Sequence, residues 1–339
     1  MVTQKLVARK SNKGRIWSDN DDLLLVKSIR ADIDEITIGA LLERTPRAIT
    51  DRLNKLRKQG TLAPSSLYIP TVATHSNLYR VFVYGDVHLP YQDPDALAIM
   101  FDALLVYQPD HIIIAGDLLD CEEISTFPKK AESVKLVDEL CAGEDHFKQL
   151  RLIAPDARIS YLEGNHERRF SRYVGSRAPA LLEVKDIGVD TLLNLSDYDV
   201  EFFPSTDKGV SIDLGKILVA HWSRVSKHSA YTAKALIDDY GKSHIQGHTH
   251  RLGTHFRTLA DRTLVGYEGG CLCRLSVNYM EFPNWQHGFH TITIAPDDIF
   301  QVQQIPIIIS HDEQRMTAIF GDQIFERKLD NAERVAKYR

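Results

Sequence analysis

Five times between residues 80 and 250 an apolar run ends at or beside a metal-type side chain, and this repeat constrains the fold more than any other feature. Arg80–Tyr84 runs into Gly85-Asp86-Val87-His88, and His111–Ala115 into Gly116-Asp117-Leu118-Leu119-Asp120. Ile159–Leu162 precedes Gly164-Asn165-His166-Glu167, Lys216–Ala220 ends on His221, and Ser243–Gln246 leads to Gly247-His248-Thr249-His250. Helical segments near Asp95–Tyr107, Glu132–Leu152 and Ser229–Tyr240 separate most of these runs. Short apolar runs alternating with helices predict buried sheets of α/β type. In such sheets ligands bind beyond the carboxyl ends of the strands, where the five loops converge.

The residue types make a chemical case of their own. Two Asp, one Asn and at least three His form a mixed oxygen and nitrogen donor set. That set suits Mn²⁺, Fe, Zn²⁺ or Ni²⁺ better than Ca²⁺ or Mg²⁺, which prefer oxygen cages. Six or seven ligands exceed one tetrahedral ion and match two ions sharing a carboxylate. A lone His is ordinarily structural and a lone Gly-Asp means nothing. Five such motifs, each behind an apolar run, point to a metal site.

The order GDVH, GDLLD, GNHE, a later His221 and then GHTH resembles the calcineurin-like metallophosphoesterases. Every position of their D-x-H, G-D-x-x-D, G-N-H-[ED], H, G-H-x-H signature is filled between Asp86 and His250. The resemblance implies an α/β fold, a two-sheet β-sandwich flanked by helices, over residues 78–310. Thr263–Tyr267, Phe289–Ala295 and Phe300–Ile308 are then expected to close the second sheet. It implies one metal on Asp86, His88, Asp117 and His250, and a second on Asp117, Asn165, His221 and His248, with Asp117 bridging. Two divalent cations are the expected cofactors, Mn²⁺ foremost and Fe, Zn²⁺ or Ni²⁺ as alternatives. Such a pair acidifies a shared water and offsets phosphoryl charge. His166 is the family's residue for protonating the leaving oxygen, oriented by Asp120, whose carboxylate raises the imidazole pKa. Protein phosphatases of this superfamily carry Arg after GDxxD and Gly after GDxH. Cys121 and Leu89 stand in those places here, which argues against a protein phosphatase. Arg168 and Arg169 are candidates for substrate phosphate, with a plain helix start as the alternative. His228, in the loop after His221-Trp222, is a further substrate candidate.

The remaining information lies in how charge is distributed. The chain carries 41 Lys+Arg and 46 Asp+Glu, a net charge of −5. Residues 1–60 hold 13 Lys/Arg against 8 Asp/Glu, or +5, which leaves 28 against 38, or −10, on the other 279. A basic module on an acidic body suggests a nucleic-acid-facing appendage. Three short helices are predicted in it. The first spans Asp19–Arg30 behind a Ser18 cap, with Leu23, Leu24 and Ile29 as its apolar face. The second lies near Ile36–Glu43, with Ile38, Leu41 and Leu42 apolar. The third has Thr45 as cap, Pro46 at its first position and Gly60 past its end, with Ile49, Leu53 and Leu56 buried. This small all-α domain resembles a Myb/SANT-like or winged-helix helix-turn-helix, which implies DNA as partner. Arg47, Thr50 and Asn54 are the candidates for base edges, and Lys55, Arg57 and Lys58 for phosphates. A dimerisation or docking module with solvated charges is the competing reading. Residues 61–77 read as a linker.

An apolar fraction of 43% with 26% charged residues excludes wholesale disorder. No apolar run approaches the roughly 20 residues of a membrane span, and the polar, basic N-terminus has no apolar core of a secretory signal. Four cysteines are too few for a disulfide framework, so a cytoplasmic protein is expected. The compartment is the host cytoplasm if the chain is virus-encoded, since phosphoesterases with such C-terminal strands also resemble phage-encoded ones. Cys271 and Cys273 have no partner pair at zinc-ribbon spacing and read as buried, inert thiols. Asn284–Gly288 reads as site rim or as packing. Residues 311–339 read as an extension, with a solvated helix or tail from Glu326. The expected function is phosphodiester hydrolysis in nucleic acid, as a nuclease or end-processing enzyme. A small-molecule phosphatase or cyclic-nucleotide phosphodiesterase, with the helices serving oligomerisation, is the alternative. A DNA-binding regulator whose body senses a ligand is a third reading.

Overall fold

The computed structural model describes residues 16–30, 33–59, 77–126, 133–184, 187–275, 283–310 and 314–329. The chain divides into two compact units, Met1–Thr74 and His75–Arg339.

The first unit holds α1 (Asp19–Arg30), α2 (Glu35–Leu41) and α3 (Pro46–Lys58). Each begins at a side-chain cap that satisfies otherwise orphaned amides. Ser18 Oγ accepts from Asp21 N while Asp21 returns a carboxylate to Ser18 N, both at 3.1 Å. Asp34 accepts from Ile36 N and Thr37 N at 3.0 and 2.9 Å, and Thr45 Oγ1 from Ala48 N at 3.2 Å. Ile49, Leu53 and Leu56 are buried as the spacing predicts. On α1 the buried residues are Leu25 and Val26, with Ile29 packed beside them, whereas Leu23 and Leu24 are exposed. At 100° per residue, 25, 26 and 29 lie on one face and 23 and 24 turn off it. On α2 only Ile38 of the expected apolar set is fully buried, Leu42 is half-buried, and Leu41 faces outward with Ile36. Trp17 closes this core from one side, with the Arg44 and Arg52 guanidinium groups 4.4 and 5.5 Å from its ring. The expected linker lies outside the described residues except for Asn77, as does Gly60.

The second unit begins with β1 (Tyr79–Tyr84), α4 (Pro94–Tyr107), β2 (His111–Ile114), α5 (Leu136–Ile153) and β3 (Arg158–Leu162). It continues through α6 (Arg168–Arg177), α7 (Val189–Leu192), β4 (Val200–Phe203), β5 (Val210–Asp213), β6 (Ile217–His221) and α8 (Tyr231–Tyr240). It ends with β7 (Ser243–Gln246), β8 (Leu252–Thr258), β9 (Thr263–Gly269), β10 (His287–Ile294), β11 (Phe300–Ser310), β12 (Arg315–Phe320) and β13 (Gln323–Lys328). Eight strands form one sheet in the order β13-β12-β11-β10-β1-β2-β3-β4, and five form the other in the order β5-β6-β7-β9-β8. Strands β1 to β4 run parallel, as do β6, β7 and β9, so their carboxyl ends align within each sheet.

Alternation along each strand explains the layering. Val81, Val83, Ile113 and Leu162 face the smaller sheet, against Ile217, Val219, Ile245 and Val265. Their neighbours Phe82, Tyr84, Ile112, Ile114 and Ile159 face the other way, into a cluster with Ile99, Met100 and Leu104 of α4 and Phe147 and Leu150 of α5. Both faces of the central strands are covered, which is why their sequences are unbroken apolar runs.

Two expectations about the C-terminal third need correction. Of the three stretches expected to close the second sheet, only Thr263–Tyr267, in β9, joins the smaller one. The segments 289–295 and 300–308 belong to β10 and β11 and extend the larger sheet, because β10 pairs antiparallel with β1, Val83 opposite His290. The stretch expected to be an extension carries the hairpin β12–β13, whose Met316, Ala318 and Phe325 are buried in the larger core. Glu326, Arg327 and Lys328 are therefore strand residues; residues 330–339 lie outside those described.

Candidate metal centre

The ligand loops leave the carboxyl ends of β1, β2, β3, β6 and β7, and they converge. Asp86, His88, Asp117 and His250 offer donor atoms that all lie within 4.8 Å of one another, and so do Asp117, His221 and His248. Asn165 joins the second group, its Oδ1 3.1 Å from His221 Nε2. Asp117 is common to both, with Oδ2 3.4 Å from His221 Nε2 and 3.9 Å from His88 Nε2. In the first group His250 Nε2 stands 3.0 Å from His88 Nε2 and 3.1 Å from Asp86 Oδ1.

The backbone pays little regard to ordinary preference here. Asp86, His88, Asp117, His248 and His250 all have φ between +49° and +75°. Non-glycine residues in that region cost on the order of 1–3 kcal/mol each and persist only where their surroundings hold them. The surroundings are other ligand loops. His248 N donates to both Asp86 carboxylate oxygens at 3.0 and 2.9 Å, and His166 N donates to Asp117 Oδ1 at 2.9 Å. Close approach also requires glycine at two points. A Cβ on Gly164 would sit 2.1 Å from Asp117 Oδ1, and one on Gly116 2.3 Å from His221 Nδ1.

Hydrogen bonds on the outer nitrogens turn the imidazoles inward. His221 Nδ1 donates to Ala115 O at 2.7 Å, and His88 Nδ1 lies 3.0 Å from Asp120 Oδ1, which leaves each Nε2 facing the cluster. Burial works against ionising Asp117, but His221, His166 and His88 outweigh it and hold its carboxyl well below the usual range. Burial likewise opposes protonation of His221, and Asp117 overcomes it, pushing the imidazole up to about 10. Burial, reinforced by His221, pulls His248 down to about 4. Asp86 and Asp117 are fully buried, and their ion-pair partners among the described residues are imidazoles alone. Two buried carboxylates ringed by imidazoles and a carboxamide form a donor set that fits divalent transition-metal cations.

His166 and Asp120 lie beside the first group. His166 Nδ1 is 2.9 Å from the Asp120 carbonyl and 3.1 Å from its carboxylate, and burial of the ring is overcome by Asp117 and Asp120, which raise its pKa. Arg169 donates to Asp120 O at 2.7 Å and faces His166 Nε2 at 3.1 Å. A guanidinium has no lone pair, so in this arrangement Nε2 accepts.

Other candidates fall elsewhere. Arg168, 100° round the helix from Arg169, turns to Thr206 O and the Asp207 carboxylate. His228 is exposed, its ring edge against Tyr231, and is not among the clustered residues. On α3, Arg47, Asn54, Lys55 and Lys58 are exposed, and the Arg57 side chain lies outside those described. Thr50 of the base-reading set is half-buried, and its hydroxyl donates to the Glu35 carboxylate at 2.7 Å. The rim reading of Asn284–Gly288 is supported by Trp285, whose ring is 4.4 Å from His250.

Two residues in the site escaped the sequence reading. Glu167 is completely buried and accepts from Asp117 N, Leu119 N and Gly164 N at 3.1, 2.8 and 2.9 Å, tying two ligand loops together. Its place in GNHE was visible, its function as a buried acceptor was not. Cys273, read as an inert thiol, has its sulfur 3.7 Å from His250 Nδ1. None of the described helices is long and apolar enough to cross a membrane.

The family model for calcineurin-like phosphoesterase matches residues 79–252. The Gene 54 protein of Mycobacterium phage L5 is 29% identical over 242 residues, covering 68% of this chain and 94% of that protein; its counterpart in Mycobacterium phage D29 is 28% identical over the same shares. Among solved structures, Vps29 of Chaetomium thermophilum is 10% identical with a TM-score of 0.37, over 74% of this chain and 96% of that one. YfcE, a phosphoesterase from E. coli, is 11% identical with a TM-score of 0.30, over 66% and 97%. With the family model spanning more than half of its length, this chain belongs to the calcineurin-like phosphoesterase family.

Proposed function

We propose that the chain is a dinuclear-metal phosphodiesterase acting on nucleic acid, brought to DNA by its N-terminal unit. The observation that carries the phosphoesterase reading is the pair of ligand groups sharing Asp117, with His166 held by Asp120 at their edge. Asp86, His88, Asp117 and His250 would hold one cation, and Asp117, Asn165, His221 and His248 the other. Bound there, two divalent cations, Mn²⁺ first among them, supply Lewis acidity to a phosphate ester and to water.

The chain's own residues do the rest. His166 gives the leaving oxygen its proton through Nε2, while Asp120 keeps the ring oriented through Nδ1. In the present arrangement Arg169 occupies Nε2. A substrate phosphate is a stronger partner for the guanidinium than a neutral imidazole. Arg169 therefore moves to the phosphate as substrate arrives, which clamps the substrate and frees Nε2 to take up a proton from solvent, favoured by the Asp117 and Asp120 carboxylates, before it passes that proton to the leaving oxygen. Trp285 lies against His250 and helps close one side of the site against solvent.

The nucleic-acid half of the reading is supported by the exposed Arg47, Lys55 and Lys58 on α3. A helix-turn-helix docks such a face in the major groove. A second reading is favoured by a different observation on the same unit: Leu24, Ile36 and Leu41 are 46%, 73% and 66% exposed, apolar side chains that self-association would cover. The helices would then serve oligomerisation of a small-molecule phosphodiesterase. One screen separates the two. Full-length protein with Mn²⁺ is assayed on plasmid DNA, RNA, cyclic nucleotides and bis-p-nitrophenyl phosphate, with Asp117→Asn as the inactive control. The first reading expects DNA cleavage whose salt dependence loses roughly 0.9 of slope for each phosphate contact removed by Lys55→Ala or Lys58→Ala. Turnover of cyclic nucleotides alone, by an oligomer broken by Ile36→Glu, establishes the second.

A further inference from the structure

The segment Gly269-Gly270-Cys271-Leu272-Cys273 leaves β9 and runs beneath the first ligand group. Its backbone holds Asp86: Leu272 N and Cys273 N both donate to the Asp86 carbonyl, at 3.0 and 3.1 Å. Its last side chain reaches the other end of the same group, with Cys273 Sγ 3.7 Å from His250 Nδ1. One tripeptide therefore touches two of the four residues in that group. Both cysteines are buried, at 0% and 4% exposure, but they are not equivalent, since Cys271 Sγ lies 3.6 Å from Gln286 O.

We propose that Cys273 is a positioning residue for His250: its sulfur accepts the Nδ1 hydrogen and so directs the Nε2 lone pair at Asp86 and His88. The inference rests on the metal-centre reading above. An imidazole presents one basic nitrogen only when the other is committed as a donor, and that outer partner sets the tautomer and the ring angle. Two other histidines of the centre have oxygen partners, the Ala115 carbonyl at 2.7 Å for His221 and the Asp120 carboxylate at 3.0 Å for His88. His250 has a sulfur at 3.7 Å instead. A thiol is a weak, long-range acceptor, so His250 is the least tightly held of the three. The backbone clamp on Asp86 keeps the sulfur in register, because the residue that donates its amide to Asp86 also carries the thiol.

The test is calorimetric titration of metal-stripped, full-length protein with Mn²⁺. Wild type is expected to bind two ions. Cys273→Ala is expected to keep one at wild-type affinity and weaken the other 10–100-fold, the usual cost of removing an outer partner. Cys273→Ser, which keeps an acceptor on a shorter bond, recovers part of that loss, and Cys271→Ala, which removes the thiol beside Cys273 but leaves its sulfur in place, loses less than Cys273→Ala. Wild-type affinity at both sites in Cys273→Ala overturns the proposal. So does equal loss in Cys271→Ala, which marks a packing effect. If Cys273→Ala fails to fold, nitrogen NMR of the Zn²⁺-loaded wild type reads the ring directly: a proton on His250 Nδ1 is expected, and one on Nε2 overturns the proposal. A wild type that binds no divalent cation overturns the metal-centre reading itself, a result distinct from any variant effect.

Discussion

Glu167 offers the sharpest test of how the ligand loops are held. Its Oε2 accepts from Asp117 N at 3.1 Å and Gly164 N at 2.9 Å, and its Oε1 from Leu119 N at 2.8 Å. Burial, with the neighbouring Asp117 carboxylate, pushes its carboxyl up to about 7, outweighing the hydrogen bonds from Tyr161 and Leu119 N that act the other way. In Glu167→Ala all three amides lose their acceptor in a dry interior. A buried unsatisfied donor costs roughly 1–3 kcal/mol, so the variant loses on the order of 3–9 kcal/mol, much of a typical total of about 5–15. In Glu167→Gln the carboxamide oxygen replaces Oε2 and keeps two bonds, while its NH₂ faces the Leu119 amide, a single mismatch of about 1–3 kcal/mol. For a unit of this size about 2–4 °C accompanies each kcal/mol. Glu167→Gln is therefore expected to melt roughly 2–12 °C below wild type, and Glu167→Ala lower still or not to accumulate folded. Thermal unfolding followed by circular dichroism on metal-stripped protein measures this. A Glu167→Ala protein melting within about 2 °C of wild type would refute the view that this carboxylate ties the two loops.

Other expectations follow from single contacts. Gly164→Ala places a methyl 2.1 Å from Asp117 Oδ1 and 2.3 Å from Asp117 N, a rigid neighbour, so divalent-ion affinity should fall at both sites; intact binding by titration contradicts the shared role of Asp117. His166→Ala should keep its metal stoichiometry and lose roughly 10²–10⁴-fold in turnover, whereas normal turnover with a missing ion would sink the role assignment. His146 is buried against Tyr84, its Nε2 2.8 Å from the hydroxyl, and burial holds its pKa at about 3. The unfolded chain protonates this histidine below its ordinary value near 6.5 and the native state does not, so stability is complete above that pH and drains away toward 3. The loss is about 2 kcal/mol at pH 5. His146→Gln should flatten the fall in denaturation midpoint between pH 7 and 5 by that amount, and an unchanged fall in urea titrations contradicts it.

Much of the second unit was legible locally. Strand-length apolar runs followed by ligand-type residues identify both the sheets and the side chains brought together at the strand ends, because strand, turn and ligand are neighbours in sequence. The caps of α1 and α3 were legible for the same reason. What could not be read depended on partners distant along the chain. Whether β10 completes one sheet or the other is set by its pairing with β1, some two hundred residues away, and its own alternation is compatible with either. The same holds for β12 and β13, whose buried Met316 and Phe325 look like tail residues until β11 lies beside them.

The candidate site divides along the same line. The sequence, through its resemblance to the family signature, determined the seven residues whose donor atoms cluster and the pairing of His166 with Asp120; six of the seven sit in short motifs, and His221 ends an apolar run. Only the tertiary structure decided how they are held: Glu167 bonded to three amides from two loops, Cys273 behind His250, and Arg169 at His166 while the adjacent Arg168 turns to Asp207. One residue on a helix is a 100° rotation, and a buried acceptor is defined by what surrounds it, so neither is a property that a linear motif can carry.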